Sequence, residues 1–208
     1  MSQPLRIRIA DPDADAATVA AIYAPNVVSS VASFELEPPD AAEMAARMRK
    51  TIEWSPWLVA VARSGAGVER VVGYAYATRH RERAGYRWAV DLSVYVAAGH
   101  QGQGIGRRLY SALLPILAVQ GFQHAYAGIT PPNPGSFALH EAMGMTRIGE
   151  YERVGYKLGA WWSVTWLGML LQPVLLDPPP EPTPLPDLLA DQVGAAAIDA
   201  ALMAAATD

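Results

Sequence analysis

"GHQGQGIGRRLYSALL", residues 99–114, sets Gly at 99, 102, 104 and 106 and then runs without a break into good helix formers. Bare backbone in front of a helix leaves main-chain N–H groups uncovered at the positive end of the helix dipole, a concave place that holds phosphate. A plain strand-to-helix turn needing positive φ would account for a lone pair of glycines. Here the glycines are spaced by single residues, polar Gln101 and Gln103 fill the gaps, and Arg107 and Arg108 follow within reach of an anion. The combination favours an anion cradle. A dinucleotide fingerprint needs its third Gly one residue later than Gly106 and an acidic residue about twenty positions on, where this chain has Tyr126. No G-K-[ST] occurs, so the Walker loop is excluded as well.

On either side of this stretch the pattern predicts a mixed α/β order with more strands than helices. "AVDLSVYVA" (89–97) reads as the strand that feeds the loop, and "RRLYSALLPILAVQG" (107–121) as the helix that leaves it and stops at Gly121. Upstream, "LRIRIA" from Leu5 alternates as a strand with one wet face, and "DPDADAATVAAIYAP" (11–25) is an Ala-rich helix behind Asp caps. A second helix starts at Asp40, with Met44, Met48 and Ile52 along one face. "WLVAVAR" (57–63) and "RVVGYAYATR" (70–79) form a hairpin around "SGAG" (64–67). Downstream come a strand "HAYAGIT" (124–130) closed by "PPNPG", a short helix "SFALHEAMG" (136–144), and a last strand "WWSVTWLGMLL" (161–171).

The character changes at Gln172. We expect one domain over 1–172, a Pro-rich linker or strap over 173–187, and an Ala-rich helical tail over 188–208. The tail carries a weak apolar stripe, Leu189, Val193, Ala197 and Ala201, suited to docking on a neighbour; a frayed end is the alternative.

With 208 residues, 51% of them hydrophobic, the chain can bury a sizeable core. A net charge of −4 argues against nucleic acid as a partner. The absence of Cys removes disulfides, thiolate metal sites and any cysteine acyl-enzyme. The N-terminus lacks a signal-peptide core, and the richest apolar run, residues 161–176, is too short and interrupted to span a bilayer, so no membrane contact and a cytoplasmic location are expected. The four His, at 80, 100, 124 and 140, show no close sequence pairing with carboxylates at ligand spacing, and no metal is expected.

Gln101-Gly102-Gln103-Gly104-Ile105-Gly106 matches the Q/R-x-x-G-x-G/A signature of the GNAT acetyltransferases. "SFELEPP", "YRWAVDLSVYV", "NPGSFALHEAMGM" and "VGYKLGAWWSV" resemble, in the same order, the phosphinothricin and methionine sulfone acetyltransferase branch, so the likeness covers Leu5 to Leu171. It implies a GNAT fold: a mixed, mostly antiparallel twisted sheet flanked by helices, with splayed central strands. It also implies acetyl-CoA as co-substrate, its pyrophosphate on the loop and on Arg107. Pantetheine would lie along Val94, Tyr95 and Val96 where the strand parts from its neighbour at a bulge, a main-chain N–H near Val96 polarising the thioester. Asn133 and Ser136 match positions that contact CoA, and they also suit a turn and a helix cap.

Acetyl transfer to an amine needs a proton acceptor for the ammonium and an acid for the departing thiolate. Asp91, on one strand face with Ser93 and Tyr95, stands where the resembled branch carries Glu; the shorter side chain favours a water-mediated route. His140 occupies the position in that branch which serves as acid or base, and the assignment stays open between it and Asp91. The resemblance implies a small-molecule amine, an amino acid analogue of the phosphinothricin, methionine sulfoximine or methionine sulfone type, held by Phe34, Arg81 and Arg83, with Tyr86 as a wall. Four Arg within 79–87, in a chain with two Lys, fit a carboxylate or phosphinate acceptor and repel a cationic one. Ser163 stands where the branch commonly has Asp. Alternatives are another acceptor (a peptide N-terminus, polyamine or amino sugar) and a non-catalytic acyl-CoA sensor. The resemblance also implies a homodimer, with the Trp-rich last strand as a contact.

Overall fold

The structure is a computed structural model that describes residues 5–63 and 67–207. Seven strands form one sheet: β1 (Leu5–Ile9), β2 (Trp57–Arg63), β3 (Glu69–Arg79), β4 (Ala89–Val96), β5 (His124–Ile129), β6 (Thr146–Lys157) and β7 (Ala160–Leu170). Their spatial order is β1-β2-β3-β4-β5-β7-β6, antiparallel throughout except for β4 beside β5. The SGAG turn falls mostly on residues 64–66, outside the described ones, while its flanking strands pair from Trp57↔Tyr76 to Arg63↔Glu69.

Two helices cover one face. α1 (Pro12–Val28) starts at Asp11, whose carboxylate accepts from the N–H of Asp13 and Ala14. It runs on past Pro25, three residues beyond the expected end, and Ser29 closes it by bonding Pro25 O. α2 (Ala41–Ile52) is capped by Asp40, as its sequence predicts, and buries Met44 and Met48. Against them pack Trp57, Val59, Val61, Tyr74, Tyr76 and Tyr95 from the sheet. Arg8 forks onto the buried Asp15 at 2.6 and 2.8 Å and so ties β1 to α1.

The opposite face is aliphatic. α3 (Ile105–Val119) sinks Leu109, Leu113, Ile116 and Leu117 completely, each contributing roughly 1.5–3 kcal/mol by leaving water. α4 (Pro134–Ala142) lies at the edge of this layer. Beyond Gln172 the chain straps over the same side: Gln172 Nε2 donates to Ala118 O, Trp88 Nε1 to Pro180 O, and Thr183 N to Gln120 O. It ends in α5 (Leu185–Ala190) and α6 (Gln192–Thr207), which join the main core.

Two expectations need correction. The tail stripe is not Leu189, Val193, Ala197 and Ala201: Val193 is 78% exposed, and the buried face is Gly194, Ile198, Ala201 and Ala205. The apolar signal of an Ala-rich helix is nearly uniform around its circumference, so the lone Ile outweighed a stripe chosen by spacing. The second omission is β6. It is an edge strand with a largely exposed face, interrupted between Tyr151 and Gly155, so it lacks the alternation that reveals a strand.

Candidate active site

The glycine loop joins β4 to α3. Gly102 and Gly104 take left-handed φ of 71° and 77°, and a Cβ on either would meet nothing within 4 Å, so backbone there faces open space. Gly104 is the N-cap and offers no side chain, which leaves the first-turn N–H groups of α3 uncapped. Gly106 serves a different need: a Cβ there would come within 2.9 Å of Leu139, the point where α4 closes on α3.

Strand β4 pairs with β5 only from Ala89↔His124 to Asp91↔Tyr126, and beyond that the strands separate. The gap opens into a cleft of about 560 Å³. Its walls bring together Val94, Tyr95, Val96, Gln101, Gly102, Gly104, Ile105, Gly106, Arg107, Asn133, Ser136 and His140. Gln103 is outside it and braces the loop instead, its Nε2 donating to Gly99 O at 3.0 Å. Asn133 caps α4 by accepting from Ser136 N at 3.2 Å.

The parting needs no bulge in β4, contrary to the expectation, because its register with β3 is unbroken from Gly73↔Val96 to Arg79↔Val90. In that ladder Ala97 N donates to Val72 O and His80 N to Ala89 O. Antiparallel alternation therefore turns the main-chain groups of Ala89, Asp91, Ser93 and Tyr95 toward β3 and those of Leu92, Val94 and Val96 toward the gap. Unpaired strand edge and helix N-terminus line the same cleft.

His140 lies under this cleft, 3% exposed. Its Nδ1 is 2.7 Å from Ser136 O, a pure acceptor, so Nδ1 carries the proton and Nε2 accepts from Tyr110 Oη at 3.0 Å. Burial lowers the imidazole pKa from its ordinary 6.5, so the ring is neutral at pH 7. Tyr110, on α3, lines the cleft and was not foreseen; a Tyr in a helix core position reads from sequence as packing.

Asp91 points to the other face of the sheet with Ser93 and Tyr95. Its Oδ1 meets His80 Nδ1 at 2.6 Å, a carboxylate–imidazole pair that spacing in the sequence had not shown. Burial pushes the Asp91 carboxyl up from its ordinary value, while the bond to His80 and the charge of Arg81 pull it back. His80 also contacts Tyr86, Tyr126 and Trp166 at ring separations of 6.0, 4.6 and 6.0 Å.

The four Arg of 79–87 part company. Arg79 stacks on Trp54 and Arg87 pairs with Glu181 of the strap. Arg81 stays beside the pair, its guanidinium 6.0 Å over Trp166 and 3.5 Å from Tyr151 Oη. Arg83 precedes a short 3-10 turn, Ala84–Tyr86, and is exposed. Phe34 sits on β6, where a Cβ on Gly155 would strike its ring at 2.5 Å, and Lys157 Nζ donates to Ser33 O at 2.5 Å. The loop before it is held by Tyr23, which bonds Ser33 and Glu35, and by the Arg47 fork that keeps Glu35 below its ordinary pKa. Phe34, Arg81, Arg83 and Tyr86 thus do not line the cleft; Arg81 and Tyr86 lie beside the Asp91–His80 pair, and Phe34 lies in the loop between α1 and α2 on that side of the sheet. Ser163 accepts from Arg153 N at 3.0 Å and steadies the β6 irregularity, where Arg153 has a φ of 47°. Among the described residues no cluster of three or more His, Cys, Asp or Glu could hold a metal, and no helix is long and apolar enough to cross a membrane.

Comparison with known proteins agrees with this geometry. The sequence model of the Acetyltransferase (GNAT) family matches residues 28–145. A phosphinothricin N-acetyltransferase of Streptomyces viridochromogenes is 38% identical over 181 residues, 86% of this chain and 93% of that protein. An L-methionine sulfoximine/L-methionine sulfone acetyltransferase of Pseudomonas aeruginosa is 32% identical over 160 residues, 77% of this chain and 91% of that one. The crystal structure of a GNAT superfamily phosphinothricin acetyltransferase from Sinorhizobium meliloti, in complex with AcCoA, superposes with a TM-score of 0.73 at 34% identity, covering 80% of this chain and 88% of that chain. With a parted β4–β5 pair ending in a glycine loop, a family match over more than half its residues and relatives shared along most of their length, the chain belongs to the GNAT acetyltransferase family.

Proposed function

We propose that the chain transfers acetyl from acetyl-CoA to the α-amine of a small amino acid analogue of the phosphinothricin, methionine sulfoximine or methionine sulfone type, by direct attack in a ternary complex. One observation carries this reading: a single strand, β4, turns the main-chain N–H groups of Val94 and Val96 into the cleft that β5 leaves and a carboxylate at Asp91 to the opposite face. The pyrophosphate would rest on the N–H groups of Gly102–Gly106 with Arg107, and pantetheine would complete the ladder that β5 abandons. Val96 N–H would polarise the thioester carbonyl as the amine attacks.

The two titrating sites divide the proton work. Asp91 serves the acceptor side, where the ammonium must lose a proton before its nitrogen can attack. The thiol side would belong to His140 and Tyr110, which both line the cleft: burial raises the phenol's pKa, so it keeps its proton and shares it with His140 Nε2. Arg81 and Arg83 would bind the acceptor's acidic group, between Tyr86 and Phe34.

Residues 1–172 form the catalytic domain in this reading, while 173–187 and 188–208 brace it. A reaction drawing on acyl-CoA supports a cytoplasmic location. A homodimer is also proposed, with the Trp-rich β7, where Trp161 is 62% exposed, and the neighbouring edge strand β6, where Ile148, Val154 and Tyr156 are 57%, 52% and 58% exposed, as its contact. Sedimentation of the protein tests this, with a monomer as the contrary result.

The transferase reading is tested by following thiol release from acetyl-CoA across a panel of acceptors. Release with phosphinothricin, methionine sulfoximine or methionine sulfone, and none with a polyamine or amino sugar, is the expected outcome. Tight acetyl-CoA binding with no acceptor-dependent release would instead favour a sensor.

A further inference from the structure

The Asp91 carboxylate is not free to meet an acceptor by itself, because Oδ1 is already engaged by an imidazole at 2.6 Å. His80 follows directly on β3 and reaches Asp91 across the strand pair; the side chains of the two are 17% and 24% exposed. An ionised carboxylate only accepts, so the ring proton sits on Nδ1 and the lone pair is left on Nε2. That Nε2 makes no hydrogen bond to any described residue. The ring is fixed by aromatic groups of the short 3-10 turn, β5 and β7. The Trp166 indole N–H, in the ring that packs on His80, is buried and has no hydrogen-bond partner among the described residues.

We infer that His80 is a further catalytic residue, the base whose Nε2 takes the acceptor's proton, with Asp91 holding its tautomer and stabilising the imidazolium. The inference rests on the transferase reading above and deepens it. In the step itself, the N–H bond of the R–NH3+ acceptor breaks and its proton moves to His80 Nε2. The freed nitrogen lone pair then forms the N–C bond to the thioester carbonyl and the C–S bond breaks. The nitrogen's second surplus proton leaves with the thiol, and His80 returns its own to solvent. One acceptor and one acetyl-CoA give one amide, one free thiol and one proton.

Two arrangements favour this direction of transfer. Burial makes an ionised, unpaired Asp91 costly, and an imidazolium at 2.6 Å relieves that cost when the proton arrives. The other ionisable groups facing the pair are Tyr86, Tyr126 and Arg81, and of these only Arg81 is a cation; it lies over Trp166, where it can hold an acidic acceptor beside the base.

The test uses His80→Gln and His80→Gly in the full chain, with acetyl-CoA affinity and thermal unfolding measured alongside. H80Q should lose about 100-fold in kcat with acetyl-CoA affinity unchanged. The acid limb of its kcat/KM against pH profile should disappear. Imidazole added to H80G should restore part of the rate, in proportion to the unprotonated imidazole present. H80Q with the parent's kcat and pH profile overturns the proposal, as does a rate loss accompanied by lowered stability, an unshifted profile and no imidazole rescue. If the parent chain itself releases no thiol with any acceptor, the transferase reading fails, and the dyad fails with it for that separate reason.

Discussion

The two faces of the sheet are built from different chemistry, and β4 contributes to both. On the α3 side Val90 and Leu92 are 0% and 6% exposed among aliphatic neighbours, and the polar equipment is main chain: an open strand edge and an uncapped helix. Even His140 is neutral there, with both ring nitrogens occupied. On the α1 and α2 side the same strand presents Asp91, Ser93 and Tyr95 to a layer of tyrosines, an Asp–His pair and the Arg47–Glu35 fork. The α3 face offers the cleft mostly main-chain groups, and the α1 and α2 face carries the Asp91–His80 pair. Alternation along β4 is what sets the two apart.

The largest expected break in this contrast is Asp91→Asn. It should lower kcat by about 1,000-fold in thiol-release assays, since it removes the negative charge from the proton-accepting side. Acetyl-CoA affinity, measured by calorimetry, should stay within about twofold because the cleft is untouched; a comparable loss of affinity would merge the two faces into one site.

Next in size is the support of the aliphatic face. Ile198→Ala should cost about 2–4 kcal/mol in urea unfolding, as Ile198 is 1% exposed against the α3 layer. Val193→Ala, five residues earlier on the exposed side, should change stability by no more than about 0.5 kcal/mol. Equal effects would mean the tail does not dock as described.

Gly104→Val puts a β-branched residue at a φ of 77°. The strain, roughly 1–2 kcal/mol, should weaken acetyl-CoA binding about tenfold while acceptor KM hardly moves.

The pH dependence of stability sets the faces against each other. His140 has a folded pKa below its ordinary 6.5, so its contribution is whole above that value and is lost as pH falls through the folded value. The slope cannot exceed about 1.4 kcal/mol per pH unit, and His140→Gln should flatten it in unfolding curves taken between pH 7 and 5. Asp91 has the opposite sign: its folded pKa is raised above 3.8, so its relative contribution is present at low pH and lost as pH rises through that raised value. D91N should therefore unfold at no lower urea concentration than the parent near neutrality, despite its lost activity.

The smallest effect concerns the acceptor loop. Lys157→Met removes the bond to Ser33 O that steadies the loop carrying Phe34, and should raise acceptor KM several-fold with acetyl-CoA KM unchanged.

Much of this was legible in the sequence because it is written in local rules. Asp11 and Asp40 cap helices, single-residue Gly spacing turns the chain into α3, and apolar runs at β2, β3 and β4 declare buried strands. Asp91, Ser93 and Tyr95 share a face simply because strands alternate. What stayed hidden depends on partners far along the chain. His80 lies eleven residues from Asp91 and meets it only through the β3–β4 register, while Tyr110 and His140 are thirty residues apart and meet across two helices. β6 carries little alternation of its own, and the strand exists through its pairing with β7.

By itself the sequence determined where the glycine loop before α3 lies, the order and kind of most elements, and which side of β4 carries the carboxylate, since each follows from caps, glycine backbone freedom and periodicity within a few residues. Tertiary structure alone decided which imidazole shares Asp91's hydrogen bond, which of the four loop arginines remain beside it, and which face of the tail is buried. Those outcomes depend on strand register and close packing, which bring together residues that no local pattern connects.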